Sequence, residues 1–148
     1  MAWTLCFKEP DMSKHRMFLR ISGAILGLSL AVNAVAGDIV VIMARAADPL
    51  TKEQLANIYL GRSLDYKPLD LPEGTGLHDT FYKRATDRDY SQVKAVWARL
   101  TFTGHAQPPK VLADAAAVKK AVAADPKSVG YIDSDDLDPS VKVVLTLN

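Results

Sequence analysis

The chain has 148 residues, of which 49% are hydrophobic, and its formal net charge is +1 at pH 7. This length and apolar share are typical of a single globular domain. Acidic and basic residues nearly balance, and nothing in the sequence resembles the concentrated basic face that binds nucleic acid. A nucleic-acid partner is therefore not expected.

The start of the chain has the pattern of a secretory signal peptide. Basic residues precede an apolar run over 21–32, which falls short of the roughly 20 residues that a membrane span needs. An Ala-Val-Ala sequence over 34–36 then places small residues where cleavage after Ala36 requires them. The pattern predicts a cleaved signal peptide over 1–36, with an uncleaved membrane anchor as the alternative. The basic residues are Lys14, Arg16 and Arg20.

Cleavage after Ala36 would leave an exported domain over 37–148, which we expect to be periplasmic. Residues 1–11 look like an overextended start, because Met12 or Met17 would give a more usual basic segment. The only cysteine, Cys6, lies in that stretch. The exported domain would then have no thiol, which excludes disulfides, thiolate metal sites and cysteine catalysis.

The first elements of the exported domain are a strand and a helix. The apolar, β-branched run over 38–43 predicts a strand buried on both faces. Thr51 is placed as the N-cap of the helix that follows, with Gln54 at the capping-box position, and Gly61 ends it. Because strong start and stop signals bracket this helix, its limits are well defined by the sequence.

Strands and helices continue to alternate along the rest of the chain. Lys67 to Leu71 predicts a short strand, and helices are expected near 77–86 and 90–100. The second of these helices has an apolar stripe that includes Trp97, which we interpret as a core residue. An Ala-rich helix capped by Asp114 and two further strands follow. Such alternation predicts an α/β fold with a mostly parallel sheet covered by helices. The Ala-rich helix is expected over 115–124 and the two strands over 128–132 and 141–145.

A loop with two glycines around a hydroxyl residue precedes the 77–86 helix. Gly74 and Gly76 flank Thr75, and the first backbone N–H groups of the helix, from Leu77 and His78, point back at this loop. Together with the positive end of the helix dipole, these groups form a small anion site. The alternative is that Thr75 simply caps the helix and the glycines make the turn.

Four stretches match, in order, the motifs of one protein family. Residues 50–61 match its "L-s-x-x-q-l-x-x-I-F-x-G" helix, and residues 73–81 match "D/E-G-S-G-T-R-x-x-F". Residues 118–131 match "V-x-x-x-p-x-A-I-G-Y", while Trp97 with 102–104 fits the "W…F-T-G" of shorter relatives. On these motifs the chain resembles a short, single-lobe relative of the periplasmic phosphate-binding proteins of phosphate ABC importers.

The resemblance implies one lobe of the periplasmic-binding-protein fold that binds phosphate or a similar oxyanion. In the family, this loop and the helix after it hold phosphate through hydroxyls and backbone N–H groups, and an Arg neutralises charge. Relative to the family, Leu77 replaces a Thr and removes one donor, while His78 replaces the Arg with a titrating group. Carried over to this chain, the ligand-binding residues are Gly74, Thr75, Gly76, Leu77 and His78.

The family's other lobe has no counterpart in this chain, which leaves two functions open. The chain is either a solute-binding-type domain that works with an ABC transporter component, or a ligand-free interaction or signalling module that contacts a periplasmic protein. An enzyme is not expected, and neither a metal nor a cofactor is. His78 and His105 lack metal-ligand spacing, and adjacent helical residues such as His78 and Asp79 diverge by about 100°.

Overall fold

The computed structural model describes residues 37–148, so the predicted signal peptide over 1–36 and Cys6 lie outside the described residues. The strands are β1 (Ile39–Met43), β2 (Lys67–Asp70), β3 (Lys110–Val111), β4 (Ser128–Asp133) and β5 (Lys142–Leu147). The helices are α1 (Lys52–Tyr59), α2 (Gly76–Thr86), α3 (Tyr90–Phe102) and α4 (Ala115–Ala124), with a short 3₁₀ helix at Ser134–Asp136.

The strands form one mixed sheet in the order β3-β2-β4-β1-β5. β2 runs parallel to its neighbours β3 and β4, whereas β1 runs antiparallel to β4 and β5. Four strands therefore point one way and β1 points the other. The predicted α/β class is confirmed. The direction of β1 could not be predicted, because a strand buried on both faces has the same composition in either direction.

The sheet centre is buried and mostly apolar, as the sequence predicts. All five residues of β1 are buried, and so are the first five of β4. Gly130 lies in β4 where α4 crosses the sheet, and a Cβ atom there would come within 2.5 Å of a Val118 methyl group. Glycine in this strand therefore allows α4 to pack close to the sheet.

The helix limits follow the predicted signals closely. Thr51 caps α1 and forms a complete capping box with Gln54. Gly61 follows α1 with φ of 68°, a left-handed conformation that favours glycine. Asp114 caps α4 by accepting a hydrogen bond from the Ala117 N–H. The helix predicted over 90–100 is slightly longer in the structure, where α3 continues to Phe102.

An aromatic cluster joins α1 and α2 to the sheet. Phe81 stacks on Tyr131 with ring centroids 3.6 Å apart, and Tyr59 packs edge-on against both rings. Trp97 from α3 donates a 2.9 Å hydrogen bond from its indole N–H to the Tyr59 carbonyl. Trp97 is 6% exposed, which confirms it as a core residue. This cluster fixes α2, and therefore the loop before it, on a rigid base.

Candidate functional site

The loop over 72–76 connects the carboxyl end of β2 to the start of α2. All five of its residues are exposed, and Gly74 has φ of 81°. A Cβ atom at Gly74 or Gly76 would meet no atom within 4 Å. The 72–76 loop therefore presents its backbone to open space at the edge of the sheet where α/β proteins commonly bind ligands.

Thr75 is the N-cap of α2. Its hydroxyl oxygen accepts a 3.3 Å hydrogen bond from the His78 N–H and donates a 3.2 Å hydrogen bond to the Pro72 carbonyl. Thr75 therefore caps α2 in this structure, which both interpretations of the loop allow. An anion at the loop would have to compete with the Pro72 carbonyl for the hydroxyl proton.

The first turn of α2 supplies the remaining donors of the predicted site. The N–H groups of Gly76 and Leu77 belong to the first helical turn, where no carbonyl of the same helix can accept them. The side chain of Leu77 packs against the core, so this residue can offer only its backbone. These two N–H groups and the helix dipole can hold one or two oxygens of an anion.

His78 has its imidazole ring in the core. The side chain is completely buried, and the ring packs edge-on against Tyr90 with centroids 4.3 Å apart. Its Nδ1 atom lies 3.0 Å from Oδ1 of Asp79, while Nε2 has no hydrogen-bond partner and lies 3.7 Å from Oδ1 of Asp70. Only the backbone of His78 therefore reaches the 72–76 loop.

The contact between His78 and Asp79 corrects the expectation that these neighbouring side chains diverge. Nδ1 is the ring nitrogen nearer the backbone, so the short Asp79 side chain reaches it across one helical step. Asp79 is exposed, so the pair does not face a shared reaction centre inside the protein.

Two carboxylates lie next to the candidate anion site. Glu73 lies in the loop itself, and Asp79 lies in the first turn of α2. Lys94 approaches Glu73 to 3.0 Å, and the Tyr90 hydroxyl donates to Glu73 over 3.1 Å. The hydrogen bond from Lys94, followed by that from Tyr90, lowers the pKa of Glu73. Glu73 is therefore ionised at neutral pH and opposes the binding of an anion.

A buried carboxylate that sequence reasoning missed lies behind the loop. Asp70, the last residue of β2, is 3% exposed. It accepts hydrogen bonds from the hydroxyls of Tyr131 (2.6 Å) and Tyr82 (2.7 Å) and from the N–H of Leu71 (2.9 Å). Burial, and then the charge of Asp70, raises the pKa of both tyrosines. The sequence signal was a charged residue between two leucines, Leu69 and Leu71, at the end of a short strand.

Two cavities flank the 72–76 loop. One has a volume of about 540 Å³ and lies between α3, the loop and β3; we term it the α3 cleft. The other, of about 220 Å³, lies on the β1 side of the loop. Both contain carboxylates, which adds to the acidic character of this edge. The lining of the α3 cleft includes Asp70, Glu73, Tyr82, Tyr90, Lys94, Trp97 and Phe102, and that of the smaller cavity includes Gly76, Leu77 and Asp133.

Residues 37–148 contain no group of three or more His, Cys, Asp or Glu side chains arranged to hold a metal ion. Over the same range, no helix combines the length and the apolar character that crossing a membrane requires.

Several solved structures have a similar fold. An ABC-type phosphate transport receptor from Vibrio cholerae is 18% identical to this chain, with a TM-score of 0.57. The match covers 74% of this chain and 46% of the receptor chain. A protein from Clostridium perfringens described as a phosphate ABC transporter substrate-binding protein, with bound phosphate, is 19% identical (74% and 45% covered, TM-score 0.58). PstS from Borrelia burgdorferi is 14% identical (74% and 47%, TM-score 0.54).

The chain has a PstS-like fold. It spans slightly less than half the length of each of these three structures. At this level of identity the likeness shows the fold alone, in agreement with the single lobe that the motifs imply. No protein-family model and no curated protein sequence matches the chain.

Proposed function

We propose that this chain is an exported, periplasmic solute-binding-type domain that binds phosphate or a similar oxyanion weakly at the start of α2. The observation that carries the proposal is the open backbone at Gly74, Thr75 and Gly76, which leads directly into the first turn of α2. The PstS-like fold supports it, because one of the similar structures is described as having bound phosphate. The signal-peptide pattern over 1–36 supports export.

The N–H groups of Gly76 and Leu77 would donate to the anion, and the Thr75 hydroxyl would turn from the Pro72 carbonyl towards it. A hydrogen bond to a charged group is worth about 1.5–3 kcal/mol. Two or three such bonds, reduced by the nearby charges of Glu73 and Asp79, correspond to dissociation constants in the millimolar range. The buried ring of His78 adds no donor at the loop.

Tighter binding would require a second wall over the loop. A wall that closes over the ligand excludes water and strengthens each hydrogen bond. We propose that a second protein chain, such as a component of an ABC transporter, supplies this wall. Tight phosphate binding by a strictly monomeric protein would contradict this part of the proposal.

The alternative is a ligand-free periplasmic interaction or signalling module. Two observations favour it: the Thr75 hydroxyl already has a donor and an acceptor within the protein, and Glu73 and Asp79 make the surroundings acidic. In this alternative, Thr75 has only its capping role, and the fold presents a surface to a protein partner.

Isothermal titration calorimetry with phosphate, and with sulfate as a second anion, tests the proposal at pH 6 and pH 8. We expect saturable, weak binding that is lost in Thr75→Ala. Thr51→Ala is the matched control, because it removes the same kind of N-cap from α1 and leaves the 72–76 loop unchanged. Absence of heat and of thermal stabilisation at millimolar phosphate would favour the ligand-free module.

A further inference from the structure

The α3 cleft has the composition of a ligand pocket, and the proposed anion site does not use it. Its walls include the aromatic rings of Tyr82, Tyr90, Trp97 and Phe102. Phe102 is 92% exposed, although it lies at the end of a helix that has a buried face. A largely apolar cavity of about 540 Å³ has the size of a small-molecule site. Aromatic walls with few polar groups are typical of such sites.

The charged groups of the α3 cleft favour a cation. The cleft contains Asp70, Glu73 and Lys94, and Lys94 is already paired with Glu73 at 3.0 Å. The hydrogen-bond donors to Asp70 are two neutral hydroxyls and one amide. Within residues 37–148, the only ion-pair partner within reach of Asp70 is His78, at 3.7 Å, which is charged only when protonated.

A buried carboxylate without a permanent cation is costly, because burial removes its hydration. A cation in the cleft would offset this cost, and the aromatic rings would attract it through their negative faces. An anion such as phosphate would instead meet two carboxylates and one lysine that is already paired with Glu73. We propose that the α3 cleft binds a small organic ammonium ion, with Asp70 as its counter-charge, Glu73 neutralising Lys94, and Tyr90, Trp97 and Phe102 as the aromatic wall.

Calorimetric titration of the full chain with choline chloride, at constant ionic strength, tests this site. The matched ligand is 3,3-dimethylbutan-1-ol, which has the shape of choline without its charge. We expect choline to bind saturably and the neutral alcohol to bind at least about tenfold more weakly, the ratio that corresponds to about 1.4 kcal/mol. Equal affinity for the two ligands would show that the cleft binds them through apolar contacts alone, and it would overturn the proposal.

Variants then locate the binding. Asp70→Asn removes the buried charge and is informative only if circular dichroism shows a native fold. Phe102→Ala and Glu73→Gln change exposed residues and keep the proposal testable in either case. Phe102→Ala and Glu73→Gln should each weaken choline binding about two- to fivefold, the factor that corresponds to about 0.5–1 kcal/mol.

The control variants are Leu64→Ala and Glu53→Gln, which change an exposed apolar residue and an exposed carboxylate outside the cleft. Both should bind choline as the unmodified chain does. Absence of saturable choline binding at millimolar concentration would overturn the proposal. Binding that Phe102→Ala and Glu73→Gln leave unchanged would also overturn it, because the ligand would then lie elsewhere.

Discussion

The Tyr131 hydroxyl donates a 2.6 Å hydrogen bond to Oδ1 of Asp70. This bond joins β4 to the end of β2, the strand that leads into the 72–76 loop. The Tyr82 hydroxyl bonds the other oxygen of Asp70, so α2 is attached to the same carboxylate. The two elements that position the loop therefore share one buried anchor.

Tyr131→Phe should destabilise the protein by about 1.5–3 kcal/mol, because it removes a hydrogen bond to a buried charged group and keeps the ring in place. Urea unfolding followed by circular dichroism measures the free energy of unfolding. Tyr66→Phe, at a half-buried tyrosine outside this network, is the matched control and should change stability by less than about 0.5 kcal/mol. Equal effects of the two substitutions would contradict the anchoring role of Asp70.

The ion pair between Glu73 and Lys94 should be lost in acid. Because the hydrogen bonds from Lys94 and Tyr90 lower the pKa of Glu73 below its usual 4.5, the pair adds stability above that pH. This contribution disappears as the pH falls through the folded-state pKa. A double-mutant cycle of Glu73→Gln and Lys94→Met, measured by urea unfolding, should show a larger coupling at pH 7 than at pH 2.

The cycle is needed because other carboxylates behave in the same way. Hydrogen bonds from Lys67 and Lys119, respectively, lower the pKa of Asp125 and Asp138, so overall stability also falls in acid. Coupling between Glu73 and Lys94 that is the same at both pH values would show that the contact does not depend on charge.

Gly130→Ala should separate α4 from the sheet. The added methyl group would lie 2.5 Å from a Val118 methyl group in a packed core, which should cost about 1–3 kcal/mol. Val118→Ala removes the clashing atoms. The double variant should therefore lose less free energy of unfolding than the sum of the losses in the two single variants. The double-mutant cycle should give a coupling of about 1 kcal/mol or more, and simple additivity would contradict this packing.

The sequence predicted local structure much better than the site. The caps at Thr51 and Asp114 and the buried strand of β1 depend on residues close together in the chain, and all are confirmed. The direction of β1 and the position of the His78 ring depend on distant contacts. A histidine in the first turn of a helix has the same local pattern whether its ring faces a ligand or the core.

The role of Asp70 could not be predicted from the sequence either, because it also depends on distant contacts. Its three donors come from β4, α2 and the adjacent backbone, and two of them are far from it in sequence. The α3 cleft likewise combines residues from β2, α2, α3 and the linker before β3. The motifs indicated the PstS-like fold, but they did not indicate which side chains the fold would bring together.

Gly76→Ala should raise stability and weaken phosphate binding. Gly76 is the first residue of α2 and its added Cβ atom would meet nothing within 4 Å, so alanine should stabilise the helix by about 0.5–1 kcal/mol. The same methyl group would occupy the open side of the 72–76 loop, from which the proposed anion approaches. Thermal unfolding and phosphate calorimetry on one protein sample measure both effects.

Gly74→Ala provides the comparison, because Gly74 has φ of 81° and alanine there should cost about 1–2 kcal/mol. Gly74→Ala should weaken phosphate binding by distorting the loop. It should lower the stability of the protein, whereas Gly76→Ala should raise it. The opposite signs of the two stability changes separate blocking of the site from distortion of the loop. If Gly76→Ala is stabilised and binds phosphate like the unmodified chain, the anion does not approach α2 at this position.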